Sequence, residues 1–340
     1  QVSHLNEEDR VYQLSFDDIK LINPNTKNLP IFESKKDAVV VSYLHRRFPI
    51  LLNESSTSNP WDIHFQRMFD MSNDSEGFES YEPLVEKFGK PVGNVFQNSD
   101  KHMLPLFESK LVDQFNHRAS TFEGTSISER FRTRARTNKC TFNQLSNSDY
   151  RNFPRYWVDA SSVSEQSGNR RWLVGFRNAI SAVADSRSVV VSAVPLSGVG
   201  NSMPLFYCGK ADPVRERYLL TTLNSFIVDY LIRQKASGGN LNYYILKQLA
   251  IPNPDTFAEL CLWDRTTPVS SWLQSKVLEL TYTAWDLEAF ALDCGYDGPP
   301  FCWDEERRFL LRCELDAAYF HLYLGSPSGW STDRPQLVEM

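Results

Sequence analysis

The chain has 340 residues, 41% of them hydrophobic, and a net charge of -6, values typical of a globular protein long enough for two or three domains. No apolar stretch approaches the roughly 18 residues of a membrane-spanning helix, which excludes a membrane span. The polar, acidic first residues predict no secretory signal, and six widely spaced cysteines without a C-x-x-C pair predict reduced thiols in the cytoplasm and no zinc site.

Charge is distributed unevenly along the chain. Residues 1–100 hold 10 Lys or Arg against 16 Asp or Glu, residues 101–255 hold 20 against 12, and residues 256–340 hold 6 against 14. A basic middle between two acidic flanks favours contact between the middle segment and a polyanion, nucleic acid above all. The alternative is a basic surface that is neutralised by the acidic flanks.

Two segments of the N-terminal third carry structural signals. Residues 34–47 place Ser34 at an N-cap position, Asp37 in the first turn and two arginines at the end, which predicts a helix, although three consecutive valines keep a strand possible. Residues 62–71 alternate weakly and predict a strand that runs into a turn.

From about residue 100 the pattern favours strands. The runs "RYWVDA", "RRWLVGFRNA", "RSVVVSAVP" and "MPLFYCG" are β-branched or aromatic and are bounded by Gly, Pro, Ser or Asp. Residues 237–254, "SGGNLNYYILKQLAIPNP", combine glycines, asparagines and two aromatics and predict a further strand that is ended by prolines.

The C-terminal part favours helices. Residues 214–236 carry apolar side chains at i, i+3 and i+4 and predict one amphipathic helix of roughly six turns, with Gly238 and Gly239 at its end. Residues 270–295 and 303–325 show the same periodicity, and the second of these starts at Asp304 and ends at Gly325. Residues 326–340 are predicted to be a disordered tail.

Residues 59–65 read "NPWDIHF" and partly match the Asn-Pro-Pro-aromatic loop that holds a flipped adenine for N6-methylation. Trp61 replaces the second proline, and six polar residues precede the motif where a buried strand is needed. The first glycine is Gly77, so no glycine-rich turn for S-adenosylmethionine precedes the motif, and "SGVGN" at 197–201 lacks the required spacing. The motif therefore predicts a turn that leads into a strand, and the chain is expected to hold neither catalytic residues nor a cofactor.

Candidate DNA-binding residues lie in the basic middle. Residues 128–140, "SERFRTRARTNKC", alternate arginines, which would share one face of a strand or form a mobile basic arm, and either arrangement suits phosphates better than base edges. Polar residues in 110–118 and 240–244 are candidates for base reading, because Gln and Asn pair with adenine and Arg with guanine. The candidates are Lys110, Gln114, Asn116, His117, Arg118, Arg130, Arg132, Arg134, Arg136, Lys139, Arg170, Arg171, Asn240, Asn242, Tyr243 and Tyr244.

Two other functions remain open. Asp100, Glu108 and Lys110 form D-x7-E-x-K, which is close to the metal-binding pattern of many restriction nucleases and would make the chain a Mg-dependent nuclease fragment. The basic face of a truncated product would alternatively bind RNA or a protein partner. No other group of His, Cys, Asp or Glu has the spacing of a metal site.

Several long phrases are similar to one family. "LPLFESKLVDQFNHRASTF", "SGVGNSMPLF", "LNSFIVDYLIRQKASGGNLNYYILKQLAIP" and "LELTYTAWDLEAFALDCGYDGPPFCWDEERRFLLRCELDAAYFHLY" resemble the C-terminal part of large bacterial N6-adenine DNA methyltransferases of restriction-modification or phage-defence systems. "LINPNTKNLPIFESKKDA" and "NPWDIHFQRMFDMSNDS" resemble the segment that joins their catalytic and target-recognition domains. The resemblance covers about residues 10–323.

The resemblance implies an α+β fold in which a β-rich target-recognition domain at 101–255 follows a connector at 1–100 and precedes a helical region at 256–325. It also implies a fragment that selects the DNA sequence without methylating it. The S-adenosylmethionine site and the catalytic loop would belong to a methyltransferase domain that precedes Gln1. The expected partners are double-stranded DNA and that methyltransferase domain, with no membrane.

Overall fold

The computed structural model describes residues 12–30, 32–180, 187–236 and 239–325, so the predicted tail at 326–340 lies outside the described residues. The fold is α+β, as predicted, with a strand-rich central part and helices toward the C-terminus. The helices are α1 (Phe16–Ile22), α2 (Lys35–Arg47), α3 (Tyr81–Phe88), α4 (Ile127–Arg130), α5 (Phe142–Ser146), α6 (Ala160–Ser167), α7 (Pro213–Leu223), α8 (Phe226–Lys235), α9 (Tyr243–Lys247), α10 (Val269–Thr281), α11 (Glu288–Asp293) and α12 (Glu305–Leu324). The strands are β1 (Ile63–Gln66), β2 (Phe96–Gln97), β3 (His102–Phe107), β4 (Ser120–Thr121), β5 (Asn138–Lys139), β6 (Trp157–Asp159), β7 (Trp172–Phe176), β8 (Ala179–Ile180), β9 (Val191–Pro195), β10 (Gly198–Val199), β11 (Leu205–Cys208) and β12 (Gly239–Asn240).

A four-stranded antiparallel sheet forms the centre of the fold, in the order β1, β11, β7, β9. All five residues of β7 are buried, and its sequence WLVGF is apolar throughout, as expected of a strand covered on both faces. The four runs predicted as strands between 155 and 209 correspond to β6, β7, β9 and β11, and these predictions are confirmed.

Each face of this sheet packs against a different part of the chain. Trp172, Val174 and Phe176 point toward one hydrophobic cluster that also contains the buried side chains of α2, α7, α8, α10 and α12. Leu173 and Leu205 point the other way, into a cluster shared with β3 and the segments around it. We refer to these as the helix side and the strand side of the sheet. On the strand side, β3 pairs with β2 and β6 antiparallel and with β10 parallel.

The N-terminal predictions are confirmed. Helix α2 starts with a capping box, in which the Ser34 hydroxyl accepts from the Asp37 N–H and the Asp37 carboxylate accepts from the Ser34 N–H. The Asn59 side chain closes the turn before β1 by accepting from the Ile63 N–H at 3.1 Å and donating to the Ile63 carbonyl at 3.2 Å. Trp61 is buried in the core. The "NPWDIHF" segment is therefore a turn that leads into a strand, as the sequence predicts.

The single helix predicted over 214–236 is instead two helices, α7 and α8, which are separated at Asn224 and Ser225. The Asn224 side chain turns toward the start of β9, where its Oδ1 accepts from the Val191 N–H and its Nδ2 donates to the Val191 carbonyl, both at 2.9 Å. Hydrogen bonds to the edge of the sheet thus outweigh continuation of the apolar periodicity. Of the glycines expected at the helix end, Gly238 lies outside the described residues and Gly239 belongs to β12.

The helix predicted over 270–295 is also interrupted. Helix α10 ends at Thr281, and α11 begins at Glu288 after a short 3-10 turn. The intervening residues contact a distant segment of the chain: the Thr283 carbonyl accepts a hydrogen bond from Arg118, and Asp286 pairs with His117. The helix predicted over 303–325 is confirmed as α12, with Asp304 as its N-cap.

The strand predicted before the prolines of 237–254 is reduced to one antiparallel bridge, between Ala250 and Ile50. The preceding residues form the short helix α9, and Leu241, Ile245 and Leu249, in and beside it, are buried at intervals of four residues. The aromatic and β-branched residues favour a strand by propensity, but the apolar spacing is that of a helix packed against α8.

Residues from all three predicted segments share the core on the helix side of the sheet. That cluster contains Ile22, Phe176 and Tyr323, and β1 from the predicted connector pairs with β11 from the predicted recognition domain. Ile50 also forms a bridge with Ala250. The domain boundaries expected near residues 100 and 255 stay a prediction. In the folded chain, residues before and after each boundary pack into the same core.

Candidate nucleic-acid interface

Of the two arrangements left open for the basic segment at 128–140, the structure shows a loop and not one continuous strand. Helix α4 ends at Arg130, an irregular loop follows, and β5 then pairs with β4 through Ser120 opposite Lys139. We call residues 131–139 the basic loop. Its start is fixed by a capping box, in which Ser126 and Glu129 exchange side-chain and main-chain hydrogen bonds.

The middle of the basic loop is anchored to the strand side of the sheet. Ala135 is buried in the cluster that contains β3, and its carbonyl accepts a hydrogen bond from Lys110 Nζ at 3.1 Å. Arg134, next to this anchor, has a positive φ of 59°, a left-handed conformation that non-glycine residues seldom adopt. The loop is thus held at its two ends and at its centre, and the side chains between these points project outward.

Four cationic side chains of the basic loop face solvent, those of Arg132, Arg134, Arg136 and Lys139. None of them makes an ion pair or a side-chain hydrogen bond with any residue in the described part of the chain. The loop itself contains no acidic residue. Glu129, just before the loop, lies close enough for the charge of Arg132 to lower its pKa. Four positive charges within eight residues, with this one acidic group beside them, form a surface that favours phosphate groups.

Arg130, the first arginine of the predicted set, does not belong to this surface. Its side chain is buried, its Nη1 pairs with Glu82 at 3.2 Å, and its guanidinium lies 4.8 Å from the centre of the Phe153 ring. Lys110 is likewise directed inward, to Ala135 and to Glu108. Both residues support the loop from below and are not placed to contact DNA.

The predicted base readers at 114–118 are inside the protein, which corrects their assignment. Gln114 donates from Nε2 to the Val189 carbonyl at 3.1 Å, and the Asn116 side chain accepts from the Arg118 N–H at 2.9 Å. His117 is 1% exposed and pairs with Asp286 at 2.9 Å, and its burial lowers its pKa. These amide and imidazole groups bond to the fold itself, so they cannot reach base edges in this structure.

Arg118 is fully buried and is also part of the fold. Its guanidinium donates to the carbonyls of Asn147, Leu145 and Thr283 at 2.8 to 3.0 Å. The sequence shows a guanidinium next to an amide and a histidine, and such a cluster looks the same whether it faces DNA or main-chain carbonyls. Burial, which only the folded chain reveals, decides between the two.

Arg170 and Arg171 differ in their surroundings. The Arg170 guanidinium lies 3.8 Å from the centre of the Tyr207 ring, and its Nε lies 3.7 Å from Glu216 Oε1. Both groups that face its charge therefore belong to the protein itself. Arg171 is about half exposed but forms an ion pair with Asp293 of α11. Arg170 is therefore not available to DNA, and Arg171 is already paired.

The predicted group at 240–244 lies on the opposite side of the sheet from the basic loop. Tyr243 packs against Phe65 at 4.8 Å and belongs to the helix side, whereas Ala135 belongs to the strand side. Asn240 and Tyr244 are exposed, and Asn242 is half-buried at the start of α9. The structure therefore does not bring this group together with the basic loop.

The nuclease pattern is spread along a strand rather than gathered at one point. Asp100 precedes β3 and Glu108 follows it, and a six-residue strand spans roughly 20 Å, too far for one metal ion to touch both. The Glu108 carboxylate is buried and accepts from Arg155 through both oxygens, at 3.0 and 2.7 Å. Among the residues that the structure describes, no group of His, Cys, Asp or Glu could hold a metal ion.

The glycines of "SGVGN" have a packing role. A Cβ on Gly198 would lie 2.4 Å from Val158 Cγ2, and one on Gly200 would lie 2.8 Å from Met71 Sδ. The absence of a side chain at both positions lets β10 approach its neighbours closely. The protein's own side chains fill the space beside this turn.

Sequence reasoning missed Arg155 and Ala135, which together with Lys110 and Glu108 support the basic loop. Arg155 holds Glu108, and Glu108 in turn lies 3.6 Å from Lys110 Nζ, which reaches the Ala135 carbonyl. A lone arginine and a small residue within a basic run carry no recognisable signal. Only the pairing of distant segments shows their role.

The chain matches neither a known protein-family model nor a curated protein sequence. In the described residues, every helix is too short or too polar to cross a membrane. All six cysteines are free thiols, four of them buried. The assignment of function therefore depends on the geometry of the basic loop together with the resemblance noted in the sequence.

Proposed function

We propose that this chain binds double-stranded DNA through the basic loop, as the target-recognition part of an adenine-specific DNA methyltransferase. The observation that carries the proposal is the outward set of Arg132, Arg134, Arg136 and Lys139, which form no ion pair within 4 Å in the described chain and stand on an anchored loop. A loop held in one conformation loses less conformational entropy on binding than a mobile arm. Its role is to hold phosphates and so to fix the position of the chain on the duplex.

The resemblance to bacterial N6-adenine methyltransferases supports the rest of the proposal. In this proposal the parent enzyme's methyltransferase domain holds S-adenosylmethionine and performs the transfer, and the present chain selects the site in the cytoplasm. Asn240 and Asn242 remain a separate prediction for base reading, because they lie on the other side of the sheet.

The test is a fluorescence-anisotropy titration with random duplex DNA at several salt concentrations. Replacement of the four cations by alanine should weaken binding and reduce the slope of log K against log salt by roughly 0.9 for each phosphate contact that is lost. A matched variant that removes four exposed cations elsewhere has the same net charge: Lys20→Ala, Lys35→Ala, Lys90→Ala and Arg265→Ala. It should keep most of the slope.

Two comparisons separate this proposal from its alternatives. Duplex RNA of the same length should bind more weakly than duplex DNA, and selection of bound duplexes from a random pool should enrich a motif that contains an adenine. An unchanged salt slope in the basic-loop variant would overturn the role of the loop. Equal binding of RNA and DNA without an enriched motif would instead favour an RNA-binding module.

A further inference from the structure

A second site is a cavity on the helix side, far in sequence from the basic loop. It lies between residues 23–30 with Phe32 and Glu33 of the N-terminal segment and helices α8 and α9, and its volume is about 740 Å³. Pockets of roughly 300 to 1,000 Å³ are typical of small-molecule sites. The cavity is open to solvent on one side, and the Tyr244 ring, 55% exposed, lies at its edge.

The distinctive group in this cavity is the ammonium of Lys235, at the end of α8. Its Nζ donates to the Ile22 carbonyl at 2.7 Å and to Asn23 Oδ1 at 2.8 Å, and both acceptors are neutral. No carboxylate of the described residues lies within 4 Å of it. An ammonium has three N–H groups, so one donor remains for a further acceptor.

The charges near Lys235 do not neutralise it. Buried His45 of α2 lies close enough for the charge of Lys235 to lower its pKa, and the cationic Arg233 also lines the cavity and pairs with Asp229 on its own helix. Glu33, at the exposed edge of the cavity, is not within ion-pair distance of Lys235. Burial without a counter-ion lowers the pKa of Lys235 to about 7.

The remaining lining groups suit the body of an organic ligand. Asn28 presents an exposed amide, and the exposed ring of Tyr244 offers a face for stacking. The Gln248 amide lines the cavity but is bonded to Thr26 and to the Tyr244 carbonyl. A bare phosphate or carboxylate would fill only a small part of the volume. The arrangement therefore combines one half-buried cation for an anionic group with neutral polar and aromatic groups for the molecule that carries it.

We propose that this cavity binds a small organic phosphate or carboxylate whose anionic group pairs with the Lys235 ammonium. The anion would supply the counter-charge that the fold lacks at this point. This site does not depend on the DNA-binding proposal, because the cavity and the basic loop lie on opposite sides of the central sheet.

The experiment measures ligand binding to the basic-loop alanine variant, so that phosphate cannot bind at the loop. Isothermal titration calorimetry with adenosine monophosphate, citrate and inorganic phosphate distinguishes organic phosphate, organic carboxylate and the bare ion. We expect saturable binding of at least one organic probe and weaker binding of inorganic phosphate. Lys235→Met should reduce the affinity for that probe at least tenfold, and Lys210→Met, at an exposed position, should leave it unchanged.

A second readout is specific for the ammonium. Because an anion stabilises the charged form of Lys235, binding near pH 7.5 should take up a proton, seen as a dependence of the heat on the buffer's ionisation enthalpy. Lys235→Met should abolish that uptake, and Tyr244→Ala should weaken binding several-fold without abolishing it. The proposal is overturned if no probe binds, if only inorganic phosphate binds, or if Lys235→Met binds the organic probe as tightly as its parent.

Discussion

At the scale of single residues, basic side chains in the middle of this chain are of two kinds: some face solvent and others bind main-chain carbonyls in the interior. Arg132 and Arg136 extend from the loop into solvent, while Arg118 lies at 0% exposure among main-chain carbonyls. All three look alike in the sequence, since each is an arginine of the basic middle segment. Their tertiary contacts alone separate a surface for phosphate from an internal brace.

Arg118 allows a direct measurement of that difference. Arg118→Met keeps the aliphatic stem but removes the donors to the carbonyls of Asn147, Leu145 and Thr283, and the last two of these bonds are buried. The loss of several charge-assisted hydrogen bonds should lower the free energy of unfolding by at least about 3 kcal/mol. Urea unfolding measures this value, and the matched Arg136→Met should change it by less than about 0.5 kcal/mol.

An Arg118→Met protein as stable as the wild type would mean that these carbonyls find other partners. The same result would reopen the possibility that Arg118 can leave the interior to contact DNA. Salt dependence of DNA binding by the variant then distinguishes the two cases.

At the scale of elements, the sequence predicts well where local signals are strong. Helices α2 and α12 have acidic or hydroxyl caps at Ser34 and Asp304, and both begin where those caps place them. Strand β7 is apolar at each position and pairs on both sides. In these segments, capping, periodicity and burial favour the same structure, so the local signals and the tertiary contacts agree.

The sequence fails where a side chain bonds to a distant part of the main chain. The apolar residues on both sides of Asn224 predict one long helix. The Asn224 side-chain amide, however, pairs with the main chain of Val191, and the helix is interrupted there. Likewise, the interruption between α10 and α11 places Asp286 beside His117. The base-reading candidates at 114–118 fail for the same reason, because polar residue type does not tell which polar group will be the partner.

The Asn224 contact can be tested on the element that it interrupts. In Asn224→Ala the Val191 carbonyl keeps the Phe115 N–H at 3.2 Å, but the Val191 N–H loses the Asn224 acceptor. One buried unpaired donor should lower the free energy of unfolding by about 2 kcal/mol. The higher helix propensity of alanine raises that free energy by less than this amount. Hydrogen exchange should show faster exchange of the Val191 amide.

Asn143→Ala, at an exposed position of α5, is the control for this substitution. It should change neither the unfolding free energy by more than about 0.5 kcal/mol nor the exchange of the Val191 amide. If Asn224→Ala were more stable than the wild type, the break between α7 and α8 would have to be attributed to another contact.

At the scale of the whole molecule, helix α2 and the segment that follows α9 pack into one core, so titration of a group that joins them affects the stability of the entire fold. His45 on α2 is such a group, with its Nδ1 2.9 Å from the Val41 carbonyl and its Nε2 3.2 Å from the Gln248 carbonyl. Burial, reinforced by the charge of Lys235, lowers its pKa from 6.5 to about 4.

The direction of the pH dependence follows from this shift. As pH falls from 6.5 toward 4, the unfolded chain gains a proton on His45 that the folded chain does not take up, so the free energy of unfolding falls. Buried His117, whose pKa is also lowered, acts in the same direction. Glu216 opposes both, because burial raises its pKa to about 7 and the folded chain then holds a proton that the unfolded chain has lost.

Because these groups partly cancel, the wild-type curve alone does not isolate His45, but a comparison of slopes does. His45→Gln should reduce the loss of unfolding free energy between pH 6.5 and 4.5 by up to about 1.4 kcal/mol per pH unit, the value for one proton. Urea unfolding at several pH values measures the slope, and His64→Gln, at an exposed position of β1, is the control. A His45→Gln slope equal to that of the wild type would show that His45 is protonated in the folded chain, where both ring nitrogens would donate to the two carbonyls that they face.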